Sequence, residues 1–538
     1  MYVQQLEPLA NSLALSALVA ALPLLTVLVL LGAVRMRAHA AGLIGLAVAV
    51  AVACLGYGMP AGQTLSSAAQ GALFGLFPIL WIVVNALWVY RMTVRTRHFD
   101  VLRRSFSRFS ADPRIQALVI AFCFGALLEA LAGFGAPVAI SAVMLVALGF
   151  DPVKAAVVAL VANTAPVAFG AMGTPVTTLA QVTGLPLDSV ASVVGRQTPL
   201  LALVVPLALV ALVDGRRGLR ETWLPALACG GAFAAVQFAA ANYVSAQLAD
   251  IGAALAGTAA LVAVPGARRP ADEAVRTKVL TGARSQDLDV RDERREVVRA
   301  YAPYALIISV FSLAQIPQLK QLLEKATQTF DWPLLNVAAP DGTPVGGNVF
   351  ALPLIATGGT LVLLSGFATA ALLGVRAKDA VREWAATVHE LRRTVLTVTS
   401  VLGLAYVMNL SGQAATIGHF VAAAGAGLAF LSPVLGWFGV AVSGSDTSAN
   451  ALFGALQVTA ARQSGLPPEL LAAANSSGGV LGKMISPQNL TIACAAVGLA
   501  GREGDLLRRL LPWSLGLLLV MCLIVIGQSG AVLGWMLP

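Results

Sequence analysis

Two stretches of this chain repeat one another, and both interrupt apolar sequence. The first is Asn163-Thr-Ala-Pro-Val-Ala-Phe-Gly-Ala-Met-Gly-Thr-Pro175 and the second is Asn475-Ser-Ser-Gly-Gly-Val-Leu-Gly-Lys-Met-Ile-Ser-Pro487. Each opens with Asn and a small hydroxyl residue, has Gly at the eighth place and Met at the tenth, and closes on a hydroxyl residue and Pro. Each also follows an apolar segment with a lone acid, Glu129 before the first and Asp446 before the second. Polar, glycine-broken segments at matching places in two halves of an apolar chain point to a transporter binding site at a repeat interface.

The surrounding sequence admits that reading. Hydrophobic residues make up 58% of the 538 and charged residues 11%, whereas soluble domains are about one quarter charged. Apolar runs at 12–34, 41–58, 72–90, 224–244, 350–374 and 511–537 have the roughly 17–25 residues that a membrane-crossing helix needs. With shorter and polar-interrupted runs, roughly 12 to 14 transmembrane or re-entrant helical segments are expected. The predicted fold is therefore an all-α polytopic membrane protein, one transporter unit over 1–538. Its first half or repeat covers 12–214 and its second 300–510, and the two are expected to be inverted relative to one another in the membrane. Two connecting helices and a charged cytoplasmic loop fill 215–299, and a C-terminal helix fills 511–538. The first apolar run follows acidic Glu7, so no cleavable signal peptide is predicted.

The net charge of +9 is topological. Arginines gather at 91–114, at 216–220 and at 502–509, and the mixed-sign stretches are 268–299 and 376–393. All can lie on one side of the membrane, as the positive-inside rule asks, with leaner loops (58–70, 245–250, 317–348) opposite. Nucleic-acid binding is not expected. The five cysteines lie in apolar runs without Cys-x-x-Cys spacing and the four histidines are scattered, so neither metal nor cofactor is expected. No P-loop or nucleophile elbow stands in a fitting context, so the chain does not read as an enzyme.

Of 26 acids, Glu129 and Asp446 stand out because the others lie in polar loops or near helix ends. An acid at mid-bilayer costs about 2.5–3.5 kcal/mol even on the gentlest scale, and marks an ion or proton pathway by default. The competing account is an acid that only ties helices together. Gly133 and Gly135 after Glu129, and Ser445 and Thr447 around Asp446, suggest broken helices whose exposed backbone lines a cavity. Close packing of small residues is the alternative. Asn163, Thr164, Asn475, Ser476 and Ser477 offer donors and acceptors to a hydroxylated carboxylate. Lys483, inside an apolar segment, either holds the substrate carboxylate or sets the charge of a nearby acid. Arg196 either joins it or snorkels at the interface.

At these motifs the chain resembles the bacterial lactate permease family over nearly its full length. The most specific stretches are 122–140, 163–175, 443–455 and 475–488, whereas 320–348 diverges from the family pattern. The resemblance implies proton-coupled uptake of lactate and glycolate across the bacterial inner membrane, with the bilayer and protons as partners, but does not identify the proton carrier. A looser similarity extends to ion transporters with paired hairpins and broken helices. A sodium-coupled carboxylate carrier remains open, as does, from a different class, an anion channel.

Overall fold

Apolar periodicity without charge lets helices form from end to end, and glycine decides where they stop. The structure, a computed structural model, describes every residue except 108, 134, 265–272, 274, 276–278, 281–291, 315, 341, 346, 347, 500 and 538, together with the side chain of 107. Arg108 and most of the charged stretch 268–299 thus lie outside the described residues. Among those described, ten helices are long and apolar enough to cross a membrane. One bent pair (Pro152–Ala162 with Val167–Thr183) and two shorter apolar helices (Ala136–Ala147 and Gly358–Leu372) bring the apolar segments to thirteen.

One run, Leu187–Tyr243, has 57 helical residues, or about 85 Å at 1.5 Å per residue, far beyond a bilayer core of about 30 Å. It is a hairpin. Gly215 (φ 68°, ψ −146°) and Thr222 leave helical geometry, and the two arms then pack antiparallel. Gly195 lies against Ala241, Gly230 against the Ala202 carbonyl, and Gly218 against the Val210 carbonyl. At the turn, buried Arg114 pairs with Asp112, Asp214 and Glu221, the last at 2.7 Å. Arg91 pairs with Glu390 at 2.6 Å and Arg95 with Asp379 at 2.9 Å. The basic stretch 91–114 therefore meets both the 214–221 turn and the amphipathic helix Ala377–Glu390, as a common membrane side requires.

Layering follows from which faces are apolar. The last helix, Glu503–Ser529, exposes Leu515, Leu519, Leu523 and Ile526 while burying Leu518, Met521, Cys522 and Val525. A helix with leucine on its outer face belongs in lipid. The helix Pro113–Leu131, which carries Glu129, is buried at every residue. So is Leu470–Lys483 of the helix Pro468–Lys483. These are the central helices. Strands are confined to short pieces: Tyr2–Val3 runs parallel to Val337–Ala338, and Thr327–Asp331 antiparallel to Val349–Pro353. Both sheets involve the region that diverges from the family pattern. One expectation needs correction. The interval 245–250 is no exposed loop: Ser245 caps a short 3-10 turn (Ala246–Leu248), and Asp250 behind it is fully buried.

Candidate functional site: a buried lysine among three carboxylates

Glu129 stands half a turn from the end of its helix. Beyond Leu131 the chain reverses through Gly133 (φ 49°) and Gly135 (φ 86°), both left-handed, before Pro137 starts the helix Ala136–Ala147. The first repeated element supplies its partner. Helix Pro152–Ala162 ends at Asn163, whose amide donates to Glu129 Oε2 at 2.9 Å. The chain then bends by 64° through a 3-10 turn and three consecutive left-handed residues, Ala171, Met172 and Gly173. Ala171 and Met172 carry Cβ atoms, so the break holds backbone strain of order 1–2 kcal/mol per residue. It also makes room, since a Cβ on Gly170 would fall 2.7 Å from Glu129 Oε1.

That oxygen is taken by the second element. Lys483, last residue of its helix, donates to Glu129 Oε1 at 2.6 Å. Glu129 is 3% exposed and Lys483 7%, so the ion pair is buried, and Glu129, held by Asn163 on one oxygen and Lys483 on the other, links the two elements.

Asp446 occupies a second cluster. Gly444 (φ 77°) ends the helix Leu428–Ser443, and Ser445 accepts from the Ser448 amide to cap Asp446–Gln463. Asp446 thus sits at a helix N-terminus, where negative charge is favoured. Ser476 donates to its Oδ2 at 2.7 Å and Asn450 at 3.4 Å. Its Oδ1 is buried without a hydrogen-bond partner and faces Gly479, where any Cβ would collide with it. Asn450 is the hub: it also donates to the Pro175 carbonyl at 3.2 Å and to Ser476 Oγ at 3.1 Å, and it accepts from Asn475 at 2.9 Å. Ser476, Gly479 and Lys483 share one face of their helix. Seven residues of helix, about 10 Å, therefore separate the point that touches Asp446 from the point that touches Glu129.

The structure brings Glu129, Asn163, Gly133 and Lys483 together, and Asp446, Ser476 and Asn475 beside them. Ser477 is buried with an unpartnered hydroxyl, Thr164 bonds back to the Val161 carbonyl, Thr447 is half-buried, and Gly135 packs on Ile492 and Asn489. Arg196 is not in either cluster: its guanidinium donates to Asn242 at 3.0 Å and to the Met536 carbonyl at 2.7 Å. It anchors the C-terminus, because the hairpin arm carries it to that rim.

Asn450, Gln237 and Asp250 escaped sequence reasoning. Asp250 lies in electrostatic reach of Glu129 and Lys483, and Asp446 in reach of Lys483. The sequence signal of Asp250 was an acid between two apolar runs with a capping Ser245 shortly before it. Among the described residues, no group of three or more His, Cys, Asp or Glu could hold a metal ion.

The buried cation thus has one carboxylate on it and a hydroxyl-rich surface beside it. A family profile described as L-lactate permease matches residues 16–529. The chain belongs to the L-lactate permease family. It is 42% identical to the L-lactate permease of Bacillus subtilis and 38% identical to that of Escherichia coli K12, each over 100% of both chains. The glycolate permease GlcA of Escherichia coli K12 is 39% identical over 96% of this chain and 95% of its own. Among solved structures, the YdaH transporter of Alcanivorax borkumensis aligns over 87% of this chain and 88% of its own, at 15% identity and a TM-score of 0.46. The protein is a multi-pass membrane transporter of the permease type, and its bacterial relatives fit the inner membrane.

Proposed function

We propose that this chain imports lactate and glycolate by proton symport, with Lys483 as the cation that holds the substrate carboxylate and Glu129 as the carboxylate that competes for it. The single observation behind this is the buried Lys483–Glu129 pair at 2.6 Å, which ties the second repeated element to the acid that Asn163 of the first element holds. With substrate absent, the pair is its own neutral unit. A proton arriving on Glu129 removes the negative partner, and Lys483 is left to pair with the carboxylate of lactate. Asn163, which donates to Glu129, is then available to the 2-hydroxyl group, and Ser476, Ser477 and Asn475 extend the same polar surface.

Electrostatics turns this competition into coupling. Both the empty state (Lys⁺ with Glu⁻) and the loaded state (Lys⁺ with lactate⁻, Glu protonated) are neutral. A proton alone or lactate alone leaves one uncompensated buried charge, which costs several kcal/mol. Only the two neutral states cross the membrane cheaply, so proton and lactate travel together. Asp446, with its unpartnered Oδ1, is a second proton acceptor in this scheme. The segments 12–214 and 300–510 would then be the units whose relative motion gives alternating access.

Sodium would be favoured as the coupling ion by one feature: Asp446 Oδ1 and Gln457 Oε1 are buried acceptors without donors. Labelled-lactate uptake into proteoliposomes, with proton and sodium gradients imposed separately, decides between them. A proton gradient alone should drive accumulation. Accumulation that follows only sodium would overturn proton symport, and equilibration without accumulation would favour a channel.

A further inference from the structure

Three buried carboxylates lie within electrostatic reach of Lys483, and only Glu129 contacts it, so a charge count leaves two of them unmatched. Glu129 is matched by Lys483. Asp446 receives two neutral donors and the end of a helix. Asp250 has least: its Oδ1 accepts one amide bond from Gln237 at 3.0 Å, and its Oδ2 has no partner, although the residue is fully buried.

Its surroundings tie it to the first broken element rather than to bulk packing. Gln237, besides bonding Asp250, donates to the Ala165 carbonyl at 3.3 Å and accepts from Thr198 at 3.4 Å. Ala165 lies inside the break that begins at Asn163. Left-handed Gly173, at the far end of that break, packs on the Ala246 carbonyl, where a Cβ would fall at 3.3 Å. Ala246 opens the 3-10 turn that leads into the helix Ala249–Ala263, which carries Asp250. The break is thus held at one end by Gln237, the amide that bonds this acid, and at the other by the turn that leads to it. Glu129 and Lys483, from two other helices, are the charged groups that reach it. The thiols of Cys123 and Cys229 meet the same helix two turns along, at Gly257, and residues 251–263 add no further titratable group.

A carboxylate in this position, with one amide donor and no cation on it, would carry an unpaired charge in the membrane interior. Proteins avoid that by binding a proton or a cation there. Resting on the symport proposed above, we infer that Asp250 is a further proton-binding acid of the transport cycle. It is neutral while Glu129 is paired with Lys483. It passes that proton to Glu129 as lactate takes Lys483 and is reprotonated from water, so one proton still accompanies each lactate and no state that crosses the membrane carries an unmatched charge. No bond other than O–H forms or breaks; the proton enters from and returns to water at the two faces.

The test uses the full-length protein in proteoliposomes. Asp250→Asn keeps the shape and the acceptor for Gln237 but cannot exchange a proton. Lactate–lactate exchange should persist, while accumulation driven by a pH gradient should collapse toward the equilibrium level, from the roughly tenfold that about one pH unit sustains for one proton per lactate. Asp250→Glu should recover part of the accumulation with a displaced pH dependence. Accumulation by Asp250→Asn equal to wild type would overturn this assignment and leave the symport intact. So would equal loss of exchange and accumulation in a folded variant, which marks a structural role. Should Asp250→Asn not assemble, Asp250→Glu carries the test, and an unshifted pH profile overturns the assignment. If wild type accumulates lactate only on a sodium gradient, the symport and this assignment both fall.

Discussion

The two repeated elements match residue for residue at their ends, yet they fold alike at only one end. Near the C-terminal end, Thr174 bonds to the Ala171 carbonyl at 2.5 Å and Ser486 to the Lys483 carbonyl at 3.0 Å. These are the same positions in register, each closing the turn before a helix that Pro175 or Pro487 helps to start. At the N-terminal end they part. Asn163 ends a helix and faces Glu129, while Asn475 sits mid-helix and donates to Asn450. The eighth-place glycines part too: Gly170 makes room for a carboxylate, and Gly482 lets its helix press on the Trp437 carbonyl. One element is broken early and strained; the other is continuous and breaks only at 484–486. The continuous one carries the cation, and the broken one cradles the acid that the cation binds.

Removing the cation should do most damage. Lys483→Met leaves Glu129 buried and unmatched, which costs about 3–5 kcal/mol unless the acid takes a proton. We expect lost lactate affinity together with lower thermal stability in detergent. Adding Glu129→Gln to Lys483→Met should restore most of the stability and none of the transport. Additive losses of stability would mean that the pair is not energetically coupled.

Asp446→Asn probes the other cluster. Its donors Ser476 and Asn450 can still bond an amide oxygen, so folding should survive while gradient-driven accumulation is lost. Near-normal accumulation would reduce Asp446 to a helix-end anchor.

The matched glycines sharpen the contrast at smaller scale. Gly170→Ala should cost about 1–3 kcal/mol by crowding, and it should perturb lactate affinity because it displaces Glu129. Gly482→Ala should cost at least as much in stability, through backbone contact, and its loss of uptake should follow protein abundance alone. Equal affinity changes in the two variants would erase the distinction between cradle and packing glycine. Arg196→Gln should have the smallest effect: it frees the Met536 end of the chain and should leave lactate affinity within about twofold, well under 1 kcal/mol.

Much of this was legible beforehand. The lone acids, the left-handed glycines and the closing hydroxyl-Pro pairs are local features, and local chemistry reads well from sequence. The juxtaposition of Lys483 with Glu129 was not legible, since 354 residues separate them and only packing brings them into contact. Asp250 was missed for a related reason. Residues 245–250, with Ser245, Gln247 and Asp250, look like a solvent loop until Gly173 of the strained turn is seen to pack on Ala246. Arg196 stayed open between site and interface, because its position near the first element in sequence says nothing of the rim to which the hairpin carries it.

The most direct test of the central claim is lactate affinity as a function of pH, measured under exchange conditions in proteoliposomes for wild type and Glu129→Gln. If the Glu129 carboxylate competes with lactate for Lys483, wild-type affinity weakens as pH rises, and Glu129→Gln binds tightly with little pH dependence while losing proton-driven accumulation. A Glu129→Gln variant that keeps the wild-type pH dependence of affinity would contradict the account.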